Sequence, residues 1–176
     1  MSETAKKHKE KAPKKLTFAV ITVSSSRYER QMKGEKVNDI SGSLIIQLLK
    51  RAGHEVKLHR IIPDDVLEIR KTLTDTIHKH KIDVIIFSGG TGVSTKDVTI
   101  EAILPLLEKD IPGFGEIFRF LSFQEIGTAA IVTRALAGIY RNTLIFCVPG
   151  SPQAAKLAVE KLILPEASHI IKHAKE

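Results

Sequence analysis

The sequence predicts an α/β fold, a three-layer sandwich in which a mostly parallel sheet carries helices on both faces. Short apolar segments that are typical of buried strands alternate along the chain with amphipathic helical segments. Strands that alternate with helices in this way build βαβ units and parallel sheets. Several of these strands end in glycine or in small polar residues, and that end of a parallel sheet is where ligands collect. The 176 residues, 43% of them hydrophobic, suit one globular domain.

The net charge of +7 is concentrated ahead of the first strand. Residues 1–15 contain six lysines and two glutamates, an excess of four positive charges. We therefore predict a basic, disordered tail over residues 1–15 and a single domain over residues 16–176. The tail either aids solubility or makes a weak contact with a polyanion. Because the body has no basic motif interleaved with aromatic residues, we expect no nucleic-acid partner.

The composition also predicts a cytoplasmic protein without membrane contact. No apolar run approaches the roughly 18–20 residues that span a bilayer, and no signal-peptide core follows the N-terminus. The single cysteine, Cys147, lies inside an apolar run. We expect it to be a buried, inert thiol in a reducing compartment.

Two strand–helix units make up the first part of the chain. Residues 16–23 are apolar and β-branched and predict the first strand, and the polar residues 28–37 predict a mobile loop. Amphipathic patterns predict helices over residues 44–52 and 66–77. A second strand over residues 56–62 lies between them.

Acidic and hydroxyl side chains precede both of these helices. Asn38, Asp39 or Ser41 can cap the first helix, and Asp64 and Asp65 suit the start of the second. Capping explains these residues on local grounds. The alternative is contact with a ligand, because Asp64 also follows the carboxyl end of a strand.

The most informative stretch is a buried strand over residues 84–87 that runs into the glycine-rich turn 88–92. A helical pattern follows, and such a turn allows backbone N–H groups to face an anion. The alternative is a tight turn whose glycines only supply backbone freedom. Asp97, followed by Thr99 and Glu101, favours function, because a carboxylate beside a phosphate needs a cation or a proton between the two charges. We therefore predict a phosphorylated ligand and a divalent metal.

Two better-known phosphate loops are absent. In the P-loop a lysine is followed by Ser or Thr, whereas Lys96 is followed by Asp97. In the dinucleotide fingerprint a third glycine stands where this chain has Thr95.

The second half continues the alternation. A turn over residues 111–115 precedes a short helical piece over residues 116–121, and we predict a strand over residues 128–133. Residues 135–142 are expected to connect it to a last strand over residues 144–148, which leads into a Pro-Gly-Ser-Pro turn and a helix from Gln153 onwards. Four phenylalanines either complete the core or form a subunit contact: Phe114, Phe118, Phe120 and Phe123.

Short motifs spread over residues 16–176 point together to one family. In chain order they are Asp39-x-Ser41-Gly42, Ile62-Pro63-Asp64, Ser88-Gly89-Gly90-Thr91-Gly92 with Lys96-Asp97-Val98-Thr99 and Glu101, residues 112–119, Arg134-Ala135, and Pro149-Gly150-Ser151. With them the chain resembles the MoaB/MogA family of molybdenum cofactor biosynthesis proteins. Residues 121–127 look closer to the MoaB branch.

The resemblance implies a molybdopterin adenylyltransferase. Such an enzyme joins the AMP of ATP to the terminal phosphate of molybdopterin and releases pyrophosphate, with ATP and molybdopterin as substrates. Matched residue by residue, Asp97 would hold Mg²⁺ and Asp64 would be the second catalytic acid. The resemblance also implies a mixed sheet, a homotrimer or homohexamer, and contact with a downstream metal-insertion protein. The pocket residues are expected to be Ser25, Asp39, Ser41, Gly42, Ser88, Gly89, Gly90, Thr91, Gly92, Thr99, Glu101, Pro149, Gly150 and Ser151.

Three residues depart from the family pattern. Lys96 replaces a common Arg and loses its bidentate fork, Ile100 replaces a Pro, and Ser25 stands where many members carry Asp. Asp64 and Asp97 are retained, which supports catalysis. Two rival functions are a non-catalytic molybdopterin-binding or scaffold protein, and a nucleotide-pyrophosphate hydrolase on the same fold.

Overall fold

One six-stranded sheet forms the centre of the protein. The computed structural model describes residues 13–176, so most of the predicted tail lies outside the described residues. The strands are β1 (Thr17–Val23), β2 (Glu55–Ile62), β3 (Val84–Ser88), β4 (Lys109–Asp110), β5 (Leu136–Tyr140) and β6 (Thr143–Val148), in the order β2-β1-β3-β6-β5-β4. β1 is parallel to β2 and β3, and β3 is parallel to β6, whereas β5 is antiparallel to both of its neighbours. The predicted α/β class with a mostly parallel sheet is confirmed.

Helices cover both faces of this sheet. They are α1 (Ser25–Met32), α2 (Ile40–Arg51), α3 (Val66–Lys79), α4 (Thr99–Ile103), α5 (Pro112–Ile126), α6 (Pro152–Ala158) and α7 (Leu164–Ala174). Short 3₁₀ turns follow α4 (Leu104–Leu106) and α5 (Gly127–Val132), and one π-helical turn (Val159–Ile163) joins α6 to α7.

The alternation of side chains along the strands divides the core into two layers. In β1, Phe18 and Val20 pack into the layer that contains α2, α5, α6 and α7, whereas Ala19 and Ile21 pack into the layer that contains α3 and α4. All four of these side chains are fully buried. A strand with both faces covered reads as a continuous apolar run. This explains why residues 16–23 lack a polar alternation.

Polar side chains fix the ends of the two long helices. The Asp39 carboxylate accepts a hydrogen bond from the Gly42 N–H at the start of α2, and Asp65 accepts one from the Glu68 N–H at the start of α3. At the other end of α2, Gly53 adopts a φ of +85°. The N–H groups of Gly53 and His54 donate to Lys50 O and Leu49 O, which closes the helix with a Schellman motif.

The predicted loop over residues 28–37 is wrong in its first half. Residues 25–32 form α1, which Ser24 caps by accepting from the Arg27 N–H. No residue of α1 is fully buried. With no apolar stripe to bury, this helix left no periodic signal in the sequence.

Two predictions in the second half are also wrong. Residues 128–133 are mostly a 3₁₀ helix rather than a strand, and the predicted connection over residues 135–142 contains β5. The helical piece predicted over residues 116–121 is the middle of the longer α5. Pro112 occupies the first turn of α5, where its missing N–H costs nothing.

The phenylalanines of α5 divide between the two roles considered for them. Phe114 and Phe118 are buried, and the ring of Phe114 lies 4.8 Å from that of Phe146 in β6. They are core residues. Phe120 and Phe123 are exposed, so for them a subunit contact stays a prediction.

Cys147 in β6 is buried as predicted, and burial raises the pKa of its thiol far above the ordinary value. Within residues 13–176, no helix combines the length and the apolar character that crossing a membrane requires.

Candidate functional site

A cleft of about 400 Å³ opens at the carboxyl end of the sheet. The segments that follow β1, β2, β3 and β6 meet in this cleft, as the topology of a parallel sheet requires. The cleft is lined by Val23, Ser24, Arg27, Asp64, Gly89, Gly90, Thr91, Gly92, Asp97, Val132, Thr133, Arg134, Pro149 and Gly150.

The floor of the cleft is the glycine loop after β3. Gly89 and Gly90 adopt φ values of +108° and +61°, a region that side chains strongly disfavour. A Cβ atom built on Gly89 would collide with the carbonyl oxygen of Val23, so the loop lies directly against the end of β1. On the other side, a Cβ atom on Gly150 would lie 3.1 Å from Gly89 Cα. Glycine is therefore needed for both the turn and the close approach of these segments.

Backbone N–H groups of this loop remain available for a ligand. In the described part of the chain, the N–H groups of Gly90, Thr91 and Gly92 form no hydrogen bond with the protein. Gly89 uses its own N–H to bond Val148 O at 3.0 Å. Consecutive N–H groups without partners at a glycine turn form an anion-binding concavity. The sequence predicted a helix N-terminus here, but α4 begins only at Thr99.

Asp64 is held at the edge of this loop by Ser25. Its Oδ2 atom accepts hydrogen bonds from the Ser25 N–H at 2.7 Å and from the Ser25 hydroxyl at 2.8 Å. The Ser25 Oγ in turn accepts from the Asp64 N–H at 2.9 Å. A Cβ atom on Gly90 would lie 2.9 Å from Asp64 Oδ1, which is the oxygen that faces the loop. The result is a carboxylate with one oxygen fixed and the other turned towards the glycines.

Asp97 lies at the opposite end of the loop. Its Oδ2 atom accepts from the Ser94 N–H at 3.0 Å, and the Asp97 N–H donates to Ser94 O at 2.9 Å. A Cβ atom on Gly92 would lie 2.7 Å from the same Oδ2. Both predicted acids therefore pack directly on the glycines of one loop.

The rim of the cleft carries two arginines. Arg134 donates from Nε to Thr91 O at 2.8 Å, and from Nη1 and Nη2 to the Glu101 carboxylate at 2.5 and 3.3 Å. The hydrogen bonds from Arg134 lower the pKa of Glu101. The guanidinium is thus fixed beside the loop, whereas Arg27 reaches the cleft from α1.

Hydrogen bonds outside the cleft support the segment that contains Gly150, next to the loop. The Ser41 hydroxyl donates to Gly150 O at 2.6 Å, which ties the start of α2 to the cleft. Ser41 is held in place through Asp39, whose Oδ2 accepts from Thr22 Oγ1 at 2.5 Å and lies 2.8 Å from His59 Nε2. A Cβ atom on Gly42 would collide with the Asp39 carboxylate. These residues support the cleft and do not line it.

Asp39 remains ionised despite its burial. Burial by itself would raise the pKa of this carboxyl, but hydrogen bonds from His59, Thr22 and the Gly42 N–H outweigh it. The pKa therefore lies below the ordinary value of 3.8.

The predicted site residues divide into two groups. Those that line the cleft are Asp64, Gly89, Gly90, Thr91, Gly92, Asp97, Pro149 and Gly150. Those that do not line it are Ser25, Asp39, Ser41, Gly42, Ser88, Thr99, Glu101 and Ser151, of which Thr99 donates to Gly89 O at 2.8 Å and Ser151 caps α6. The Ser88 hydroxyl is buried without a hydrogen-bond partner among the described residues.

Six residues that line the cleft were not among the predicted site residues: Val23, Ser24, Arg27, Val132, Thr133 and Arg134. Arg27 lies just after the carboxyl end of the first strand, and this position was the signal that could have identified it as a cleft residue. Arg134 was part of the family motif Arg134-Ala135 but was not predicted to line the site.

The two carboxylates of the cleft suit Mg²⁺ that also binds substrate phosphates better than they suit a metal bound only by protein side chains. Residues 13–176 contain no group of three or more His, Cys, Asp and Glu side chains arranged around a metal position. Mg²⁺ is commonly bound by one or two carboxylates together with substrate phosphates. Asp97 and Asp64, beside an anion-binding loop, are such a set.

Both the sequence and the fold of the chain match known proteins. The family model described as "Probable molybdopterin binding domain" matches residues 19–169. Molybdenum cofactor biosynthesis protein B of Bacillus cereus is 43% identical over 93% of each chain. A Pyrococcus furiosus protein named molybdopterin adenylyltransferase is 44% identical over 96% of this chain and 97% of its own length. Among solved structures, the chain is similar to the crystal structure of the tungsten cofactor synthesizing protein MoaB from Pyrococcus furiosus, with a TM-score of 0.83 and 43% identity. The match covers 94% of this chain and 100% of the MoaB chain.

Proposed function

Because the chain belongs to the family of probable molybdopterin binding domains, as predicted from its motifs, we propose that it is a molybdopterin adenylyltransferase of molybdenum cofactor biosynthesis. In this reaction a terminal phosphate oxygen of molybdopterin attacks the α-phosphorus of ATP. The bond from that phosphorus to the β-phosphate bridging oxygen breaks, and pyrophosphate leaves. The observation that carries the proposal is the glycine loop with free N–H groups between Asp64 and Asp97.

The glycine loop would bind the phosphates. Transfer of a nucleotidyl group between two polyanions depends on positioning and charge stabilisation more than on a nucleophilic side chain. The N–H groups of Gly90, Thr91 and Gly92 are fixed donors that need no reorganisation when an anion arrives. Thr99 supports the start of this loop by donating from its hydroxyl to Gly89 O.

The two carboxylates would hold the divalent ion. Bound Mg²⁺ supplies neutralisation of the phosphate charge that builds up during transfer. Asp97 offers the oxygen that Ser94 does not occupy, and Asp64 offers the oxygen that Ser25 does not occupy. Ser25 therefore acts by orienting Asp64 through its N–H and its hydroxyl.

The arginines of the rim would orient the two substrates. Arg134 keeps its guanidinium plane fixed between Thr91 O and Glu101, so any remaining N–H donors point from a defined position. A single N–H donor on a guanidinium held in this way can bond a phosphate oxygen. Arg27 belongs to a helix with no fully buried residue, so it can move towards a bound anion.

Two rival functions predict different products. A binding or scaffold protein would bind molybdopterin without forming product, and a hydrolase would release AMP. Retention of both acids and of the free N–H groups favours transfer over simple binding.

We also propose that the protein assembles through the outer face of α5. This apolar outer face consists of Ile117, Phe120, Phe123, Ile126, Ile131 and Val132. The α5 members follow one another at intervals of three residues, so each is turned by about 60° from the one before and together they form a stripe that winds along the helix. Phe120 and Ile131 are 60% and 82% exposed. Apolar patches of this kind mark interaction sites. Sedimentation as a trimer or hexamer would support the assembly, and a monomer at micromolar concentration would contradict it.

The experiment that tests the function uses purified protein, molybdopterin and ATP, with the products resolved by mass. Transfer predicts adenylylated molybdopterin and pyrophosphate in equal amounts, only when Mg²⁺ is present. Tight binding of molybdopterin without product would favour the scaffold function, and AMP without adenylylated product would favour the hydrolase. We further propose a cytoplasmic protein whose product passes to a downstream metal-insertion protein.

A further inference from the structure

A pair of histidines on α7 lies at the periphery of the molecule, outside the cleft. His169 and His173 are one helical turn apart, and their Nε2 atoms face each other at 3.0 Å. The two rings meet edge to face with centroids 4.7 Å apart. Their side chains are 26% and 47% exposed. The mechanism proposed above uses neither of them.

The hydrogen bonds of the other ring nitrogens determine the state of this pair. His169 Nδ1 lies 3.2 Å from Glu166 Oε2, and His173 Nδ1 lies 3.1 Å from Glu176 Oε2. An ionised carboxylate only accepts hydrogen bonds, so both Nδ1 atoms carry the proton. In the neutral imidazoles both Nε2 atoms then present a lone pair, and two lone pairs at 3.0 Å repel each other. A proton or a metal ion between them removes this repulsion.

We propose that His169 and His173 form a surface site for a divalent transition metal, with Cu²⁺ as the best fit. Histidines that bind a metal usually donate their second ring N–H to a carboxylate, and here both do so. Two histidines at positions i and i+4 of a helix are a known chelating pair. Water molecules complete the coordination.

The separation of the two nitrogens selects the geometry. With metal–nitrogen bonds of about 2.1 Å, two nitrogens 3.0 Å apart subtend about 90° at the metal. A tetrahedral angle would require a separation of about 3.4 Å at the same bond length. A right angle suits tetragonal Cu²⁺ or Ni²⁺ better than tetrahedral Zn²⁺, and Cu²⁺ binds such donors most strongly.

The surrounding charges also favour a cation. The pair occupies the last turns of α7, where the carbonyl end of the helix dipole is negative. Glu166 and Glu176 add two negative charges, whereas Lys172 opposes them and pairs with Glu176 at 3.6 Å. Both glutamate carboxylates lie in direct contact with an imidazole.

The test is a titration of the full chain with Cu²⁺, above the ordinary pKa of histidine so that protons do not compete. We expect one tight equivalent in the wild type and an electron paramagnetic resonance spectrum with two equatorial nitrogen ligands. His169→Gln and His173→Gln should each lower the affinity at least about tenfold. His80→Gln, which alters an exposed histidine at the end of α3, should leave it unchanged.

Thermal unfolding without metal checks that the variants fold. Both substitutions lie on a partly exposed helix surface, so the melting temperatures of the metal-free variants should stay close to the wild-type value. Cu²⁺ should raise the melting temperature of the wild type and of His80→Gln, and not that of the other two. Equal Cu²⁺ affinity in all three variants, or a spectrum with one nitrogen ligand, would overturn the proposal and leave a pair that shares a proton.

Discussion

Replacing Gly90 by alanine tests whether the glycine loop is built for close approach. Gly90 has a φ of +61°, and a left-handed backbone costs alanine about 1–2 kcal/mol. A methyl group there would also collide with the Thr99 hydroxyl. That buried hydroxyl donates to Gly89 O at 2.8 Å. Displacing it costs about 1–3 kcal/mol more, because a buried polar group loses its partner.

The two contributions together predict a loss of about 2–5 kcal/mol in the free energy of unfolding. For a chain of this size the melting temperature should then fall by roughly 4–20 °C. Denaturant titration and thermal scans of purified protein measure both quantities. The methyl group also approaches Asp64 Oδ1 to 2.9 Å, so the folded fraction should lose activity as well.

Gly53 supplies a matched control. Its φ of +85° is also left-handed, but a Cβ atom there would meet nothing within 4 Å. Gly53→Ala should therefore cost only the backbone contribution of about 1–2 kcal/mol and leave activity unchanged. If Gly90→Ala destabilised the protein no more than Gly53→Ala does, the steric part of the reasoning would be refuted.

Three further predictions concern single side chains. Asp39→Asn should cost about 1.5–3 kcal/mol at neutral pH. The pKa of Asp39 in the folded protein lies below its ordinary value of 3.8, so this loss of stability should be constant above pH 3.8 and shrink as the pH falls through the folded pKa. Urea titrations at several pH values would detect this. A loss that grew in acid would contradict the hydrogen bonds assigned to Asp39. Arg134→Lys should change stability by less than about 1 kcal/mol, because Glu101 is half exposed. It should nevertheless raise the KM for ATP or molybdopterin, since lysine has no planar guanidinium to bond Thr91 O and Glu101 together and so would not be held beside the cleft; an unchanged KM would remove Arg134 from substrate binding. Cys147 should resist thiol reagents in the native protein and react fully in denaturant, and rapid native labelling would contradict its burial.

The parts of the fold that the sequence predicted are those with continuous apolar runs or clear periodicity. β1, β3 and β6 are buried on both faces and read as unbroken apolar segments. α2 and α3 show a helical stripe and end in recognisable caps. Their order along the chain implied the parallel sheet and, through it, the edge where the cleft lies.

The errors occurred where packing overrides local propensity. Residues 128–133 have β-branched residues typical of a strand, yet Ile131 and Val132 are exposed on the apolar outer face. β5 carries Gly138 where a Cβ atom would lie 2.6 Å from Lys109 O, and that contact depends on a distant segment. Neither fact could be obtained from short windows of sequence.

In the candidate site, too, some features could be predicted from the sequence and others could not. Asp64, Asp97 and the glycines stand at strand ends, so their meeting could be predicted from topology alone. The supporting roles of Ser25 and Asp39 could not be predicted, because they depend on the direction in which each side chain points and on the atoms that it bonds. Spacing along the chain carries no information about that orientation.

The most direct test of the central claim compares the yield of adenylylated molybdopterin in wild type, Asp97→Asn and Asp75→Asn with Mg²⁺ present. Asp97→Asn removes the charge without changing the volume, and Asp75→Asn alters a carboxylate that pairs with Lys79 on α3 and does not line the cleft. The account predicts full yield from the wild type and Asp75→Asn and no Mg²⁺-dependent product from a folded Asp97→Asn protein. Equal yields from all three proteins would contradict the assignment of the cleft as the site of AMP transfer.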